Sequence, residues 1–313
     1  MSDLRNRNRR RWGIIYAPMI GALKPMKRWK EVREYIEEKK VEYDFFCAAD
    51  AAAVESRALE YANEGYDTIV LIGGDGALQD ALNGVLASDR AHEVALGIVP
   101  NGIANDFATY WGLSFHDYKA AVDSIFAGRV RKVDVGCCRY HAGETEVRRY
   151  FLNVLNVGMS ANIVALANKK NTIFAKIIYR VRALLHLLFR RQNFSMRFRL
   201  NNQLVEKKFM MLCIGNSTGY GMTPSAVPYN GWLDVSAIKM SPFMGVLKGL
   251  QMVLRRRILK LVEPFRTTEI EIDTVGGANL GIDGRPFAPT FPLHVNVEPE
   301  KLNLIIPTKI KNR

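Results

Sequence analysis

Hydrophobic and polar positions along the chain follow two regimes, and the change comes near Gly136. Before it, short apolar runs alternate with segments of helical spacing. Residues 13–17 are apolar, 27–39 are charged with helical periodicity, and 41–47 have strand character. Residues 51–63, rich in Ala and Glu, predict a helix, and 68–72 form a β-branched run that ends in glycines. Helical spacing returns over 78–86 and 118–126, strand character over 94–99 and 130–135. Strands spaced by helices predict βαβ units and a parallel sheet. Ligands of such sheets gather beyond the carboxyl ends of the strands.

After Gly136 the pattern predicts strands at 150–157, 194–200, 209–214, 233–239, 268–272, 293–297 and 302–306. Turn residues separate most of them, which points to an antiparallel sandwich or barrel. Helical segments at 174–191 and 243–259 interrupt this series. The expected fold is therefore an N-terminal Rossmann-like parallel-sheet α/β domain and a C-terminal antiparallel β-sandwich domain with inserted helices. The first covers 1–136, with 1–11 a basic tail expected to be flexible, and the second covers 137–313. A chain of 313 residues is long enough for two cores.

Composition changes this picture only at the level of partners. Hydrophobic content of 48% and charged content of 24% are those of an ordinary globular protein. The formal net charge of +13 favours acidic partners: nucleotide phosphates, nucleic acid or an anionic membrane surface. Cys47, Cys137, Cys138 and Cys213 form no C-x-x-C pair, which leaves zinc and thioredoxin-like sites unsupported and fits reduced thiols in the cytoplasm. The arginines at 5, 7, 9, 10 and 11 resemble the start of a secretion signal, but the apolar run that follows is short and Pro18 ends it. No stretch reaches the roughly 18 apolar residues that span a bilayer. The five histidines have no metal-ligand spacing, and no Ser–His triad is visible.

Three turns carry candidate chemistry. The first is Ile72-Gly73-Gly74-Asp75-Gly76, between a buried-looking strand and a helix. Its glycines would let the backbone approach phosphates, and the helix start offers N–H groups and a positive dipole end. Asp75 would hold Mg2+ or orient a neighbour; the plainer reading is an N-capping aspartate. The second turn runs from Pro100 through Gly102 to Asn105 and Asp106, at the next strand end, where caps are again the plainer reading. The third is Asp283-Gly284, which is first of all a hairpin signal.

In this order and spacing the turns resemble the diacylglycerol kinase-like lipid kinase family, which includes sphingosine and ceramide kinases. The resemblance runs from about Trp12 to Pro307. The family's G-G-D-G-T-x-x-E-x-x-N-G appears as residues 73–84, its P-x-G-T-A-N-D-F-A as 100–108, its D-G-x-L-D as 230–234 and its D-G-E as 283–285. Gly215-Asn216-Ser217 resembles a family segment of the β-rich half. The resemblance implies a kinase that moves the γ-phosphoryl group of ATP, with Mg2+, to a hydroxyl of a diacylglycerol-like or sphingoid-like lipid. It implies that Gly73, Gly74, Gly76, Pro100, Gly102, Asn105 and Asp106 bind nucleotide, that Asp283 is the catalytic base with Asp75 its rival, and that a structural Mg2+ lies near Asp234. The chain departs from the pattern at Ala17, Ala77 and Ile103, where polar residues are usual, at Asn230 for an aspartate, and at Arg285 for a glutamate. Each lost hydrogen bond is worth about 0.5–1.5 kcal/mol, so weaker ATP binding is expected. A non-catalytic nucleotide- or lipid-binding member of the same fold, and an NAD kinase-type kinase of soluble metabolites, stay open as alternatives.

Residues 169–199 carry nine Lys or Arg and no acid, beside an apolar stripe at helical spacing. A helix packed on its own domain with a solvated basic face is one reading. The other is a helix that docks on anionic membrane through residues such as Arg190 and Arg191, which would put the protein at the inner face of the membrane. No nucleic-acid partner is expected, and a homodimer is left open.

Overall fold

The computed structural model of the chain describes residues 11–18, 26–158, 161, 193–219, 222–238 and 264–308. The helices expected at 174–191 and 243–259, with Arg190 and Arg191, lie outside these. The chain divides into two units, Met1–Val133 with Glu300–Arg313, and Asp134–Pro299.

The first unit runs β1 (Arg11–Tyr16), α1 (Lys27–Glu38), β2 (Glu42–Cys47), α2 (Ala51–Asn63), β3 (Thr68–Gly73), α3 (Asp75–Leu86), β4 (Ala95–Pro100), α4 (Asp106–Tyr110) and α5 (Tyr118–Ala127). Its strands pair in the order β2-β1-β3-β4, all parallel. All six residues of β3 are buried, which explains its unbroken β-branched run. Helices cover both faces of this sheet. Tyr61 of α2 lies against Gly13 of β1, where a Cβ would come within 2.6 Å of the ring, and Ile125 of α5 lies against Gly97 of β4 in the same way, at 2.9 Å. By register Gly13 shares a row with Ile69 and Leu96, so Gly97 faces the other side. Asp50 and Asp117 start α2 and α5 by accepting from the N–H groups of Ala53 and Ala120.

The second unit is antiparallel. After β5 (Val130–Ala142), in which the chain passes from one unit to the other, come β6 (Thr145–Phe151), β7 (Val154–Gly158), β8 (Phe194–Leu200), β9 (Gln203–Phe209), β10 (Met211–Gly215), β11 (Leu233–Ile238), β12 (Pro264–Thr267), β13 (Glu269–Thr274), β14 (Leu280–Ile282), β15 (Arg285–Phe287) and β16 (Leu293–Ile305). One sheet has the order β12-β11-β10-β7-β14-β15; the other pairs β16-β13-β8-β9 and carries the β5–β6 hairpin. A common core takes Leu155, Leu212, Ile214 and Val235 from the first sheet and Met196, Phe198, Ile270 and Val295 from the second. Strand β8 shows how alternation sets this: Met196, Phe198 and Leu200 point inward, while Arg197 and Arg199 point out to Asp273 and Glu271.

Some boundaries differ from the sequence pattern. The run 150–157 is two strands broken at Leu152-Asn153, and 209–214 is divided between β9 and β10. The runs 293–297 and 302–306 are one strand, because the ladder continues through the polar residues 298–301 with Glu300 at φ 51°. Its last residues pair parallel with β4, Asn303 with Ala95 and Leu304 with Leu96, so the chain end groups with the first unit.

Candidate functional site

In the first unit the two glycine turns sit side by side because β3 and β4 are neighbours, with Gly73 opposite Pro100 in register. Asn101 N–H donates to the Gly73 carbonyl at 2.7 Å. The turns then touch backbone to backbone: a Cβ on Gly102 would lie 2.5 Å from the Cα of Gly74, and one on Gly74 would lie 2.9 Å from the Cα of Gly102. Only glycine fits at both positions. Asn105, in the left-handed region at φ 50°, fixes the second turn. Its Oδ1 accepts from Gly102 N–H at 2.7 Å and its Nδ2 donates to the Gly102 carbonyl at 2.8 Å. Asn105 therefore shapes the loop through the Gly102 peptide.

Asp75 is buried and occupies the first position of α3, with Gly74 as the N-cap. Its carboxylate reaches the neighbouring turn. Oδ2 accepts from Asp106 N–H at 2.9 Å and Oδ1 from Phe107 N–H at 3.2 Å, so it caps the neighbouring α4. The capping reading of Asp75 thus acts across the two turns. The N-cap of α3 is a glycine with no side chain to cap the helix, and the Asp75 carboxylate stands in its first turn. Asp106, half-buried, opens α4 beside it.

Two of the departures from the family pattern, Ala17 and Ala77, meet here. A Cβ on Gly73 would come 3.0 Å from the Ala77 methyl and 3.4 Å from the Ala17 methyl, so both face the same small space. Ile103 is 43% exposed on the second turn. The floor around the glycines is apolar where polar groups were usual. Below it Tyr16 is buried, and burial raises the pKa of its hydroxyl while a hydrogen bond with Asn101 opposes the rise.

In the second unit Asp283 and Gly284 form the two-residue connection from β14 to β15, both at positive φ (44° and 84°), as a type I′ hairpin requires. The plain hairpin reading and the site reading both apply. Asp283 is 1% exposed, and its carboxylate gathers the turn between β6 and β7. Oδ2 accepts from Leu152 N–H at 2.7 Å, and Oδ1 from Asn153 N–H at 3.0 Å and Val154 N–H at 2.8 Å. Asn216 holds the same turn from its other side, with Nδ2 donating to the carbonyls of Leu152 and Asp134. Asp134 Oδ2 accepts from Gly231 N–H at 2.7 Å. Asp134 and Asn216 have as much to do with this network as Asp283; the sequence pattern picked out Asn216 within Gly215-Asn216-Ser217 but not Asp134. The signal for Asp134 was a charged residue at a core position of an otherwise apolar strand, which must find partners to be buried.

Asp234 lies on β11, opposite Gly215 of β10 and Arg266 of β12. Burial raises its pKa, and the Arg266 guanidinium opposes the rise. Among the described residues no three His, Cys, Asp or Glu side chains converge as a metal cluster. For a nucleotide-borne Mg2+ in the first unit that is no obstacle, since Mg2+ takes one or two carboxylates and completes its shell with water and phosphate. Asp106, half-buried at the start of α4, suits it, and Asp75 holds that position through the α4 N–H groups. The surroundings of Asp234 do not suit a structural Mg2+, because the neighbouring oxygens are turned to backbone N–H groups and to Arg266. Among the described residues no helix is long and apolar enough to cross a membrane.

Comparison with known proteins matches residues 11–138 to the diacylglycerol kinase catalytic domain and residues 153–306 to the YegS C-terminal NAD kinase beta sandwich-like domain. A diacylglycerol kinase of Bacillus subtilis (strain 168) is 23% identical over 247 residues, 77% of this chain and 78% of that protein. One from Mycobacterium tuberculosis (strain ATCC 25618 / H37Rv) is 25% identical over 251 residues, 78% of each chain. The crystal structure of a diacylglycerol kinase from Bacillus anthracis str. Sterne has the same fold, with a TM-score of 0.73, 19% identity, and coverage of 96% of this chain and 97% of that one. With the two domain matches accounting in sequence for both regimes of the chain, the protein is a member of the diacylglycerol kinase catalytic-domain family.

Proposed function

We propose that the chain transfers the γ-phosphoryl group of ATP to a hydroxyl of a membrane lipid of the diacylglycerol or sphingoid type. The observation that carries this reading is the interlocked pair of glycine turns, in which Asp75 caps α4. Phosphoryl transfer needs positioning and neutralised charge more than covalent chemistry. Gly73, Gly74 and Gly76 give backbone access to the phosphates; Pro100, Gly102 and Asn105 set the shape of the second turn. Asp75 positions Asp106 by holding the N–H groups of α4. Mg2+, when bound with ATP, would neutralise the phosphate charge; Asp106 would hold it, with Asp75 organising the cleft through the start of α4. Asp283 is the base for the acceptor hydroxyl, its carboxylate oriented by three backbone N–H groups. The net charge of +13 supports peripheral attachment to anionic lipid at the inner face of the membrane.

The test is transfer of labelled γ-phosphate from ATP to vesicles of diacylglycerol or sphingoid base in anionic phospholipid, run beside a thermal-shift titration with ATP and ADP, with and without Mg2+. Product with one lipid class, lost in Asp75→Asn, is expected. The apolar floor of Ala17 and Ala77 favours a second reading, a non-catalytic nucleotide binder. A nucleotide-dependent rise in Tm with no product on any lipid would establish that reading, and no response to nucleotide at all would refute both.

A further inference from the structure

The resemblance implies a structural divalent cation beside Asp234, yet the oxygens there are committed elsewhere. Asn230 Oδ1 accepts from Trp232 N–H at 3.0 Å, and Asp134 Oδ2 accepts from Gly231 N–H at 2.7 Å. Asp234 Oδ1 accepts from Arg266 Nε at 3.2 Å. What remains is Asp234 Oδ2, buried and without a hydrogen-bond partner among the described residues. One oxygen is far from the near-octahedral set of hard ligands that Mg2+ demands. A guanidinium already bound to the same carboxylate would also repel a dication.

Asp234 is 1% exposed, and a carboxylate so deeply placed needs a counter-charge. The register supplies one: Arg266 stands directly across from Asp234 on β12 and reaches it from a half-exposed position. On its other side Asp234 faces Gly215, the residue before Asn216, which ties Asp134 to Leu152. The charge at Asp234 therefore sits against the strand that carries this network.

We infer that the Arg266 guanidinium supplies, as part of the fold, the positive charge that the resemblance would assign to a structural metal at Asp234, so that the 230–234 turn stands without metal. The inference concerns charge balance in the second unit alone and does not rest on the nucleotide reading.

The experiment uses the full chain without nucleotide and reads Tm. The Tm of the wild-type protein stays unchanged as MgCl2 is raised through the millimolar range. Arg266→Gln, which can place an N–H where Arg266 Nε stands but carries no charge, lowers Tm by roughly 3–6 °C, an estimate reduced for the exposure of Arg266. Arg266→Lys, which keeps the charge, loses less than half as much. In an Asp234→Asn background Arg266→Gln has no effect. A saturable rise in wild-type Tm with MgCl2 that Asp234→Asn abolishes would overturn the inference, because a metal would then hold the site. Equal loss from Arg266→Gln in both backgrounds would overturn it too, since Arg266 would then act by packing. If Arg266→Gln does not fold, recovery of folding in the Asp234→Asn, Arg266→Gln double variant supports the inference, and failure to recover refutes it.

Discussion

Asp75 and Asp283 are both buried carboxylates placed at tight glycine-containing turns, but they carry out different structural work. Asp75 reaches sideways from the start of α3 and receives one N–H on each oxygen, from Asp106 and Phe107. Asp283 sits in a hairpin turn and receives three, from the successive residues Leu152, Asn153 and Val154. The first arrangement joins two helix starts. The second closes a strand break that would otherwise bury unsatisfied donors. An aspartate beside glycine in a turn can thus be a tie between elements in one unit and the keystone of a turn in the other, and an Asp→Asn change will separate the two.

The largest effect is expected for Asp283→Asn. An amide offers one acceptor and turns an NH2 toward backbone donors, so the loss is at least about 3 kcal/mol, or roughly 6–12 °C in Tm, along with activity. Asp75→Asn keeps one cap and loses about 1 kcal/mol of stability, with roughly 10²-fold or more of phosphoryl transfer. Thermal melts beside initial rates measure both. Equal melting of the two variants would erase the distinction between tie and keystone.

Gly102→Ala tests the first unit from the backbone side. Its Cβ would lie 2.5 Å from the Gly74 Cα, so one turn must move. Nucleotide affinity should fall at least about tenfold while Tm drops by only a few degrees. Calorimetry with ATP gives the first quantity, and unchanged affinity would show that the two turns do not need to touch.

A smaller gain is expected from restoring polarity with Ala17→Asn, Ala77→Thr and Ile103→Thr. Ala17 and Ala77 face one space beside Gly73, so their two effects should fall short of their sum. Ile103 is exposed and should contribute independently. Together the three tighten ATP by about tenfold. Full additivity of the first two would show that the space is larger than the contacts around Gly73 indicate.

The smallest effect is in pH. Asp234 has a pKa raised by burial, with Arg266 opposing. The folded protein therefore holds this proton more tightly than the unfolded chain does, and this group's contribution to stability falls as pH rises from the ordinary carboxylate value of 3.8 through the raised one. Above that it is flat. Urea unfolding across this range should show a shallower decline in Asp234→Asn than in the wild type, and identical slopes would remove Asp234 from the titration.

The sequence by itself determined the change of regime near Gly136, because a 3.6-residue period and a two-residue period are local properties of the chain. It determined the helix starts at Asp50 and Asp117, where the cap is three residues from its donor. It also displayed Gly73, Gly74 and Gly102, since glycine at a strand end has few other uses. Only the tertiary structure decided that Gly74 meets Gly102, that Asp75 caps α4, and that Asp283 holds residues 130 positions earlier in the chain. It alone showed that 298–301 continues a strand that returns to β4. The physical reason is the same in each case. A buried donor must be satisfied, but the chain does not say which distant acceptor will reach it. That choice is made when strands far apart in sequence come into register, as β11 and β12 do when they set Arg266 against Asp234.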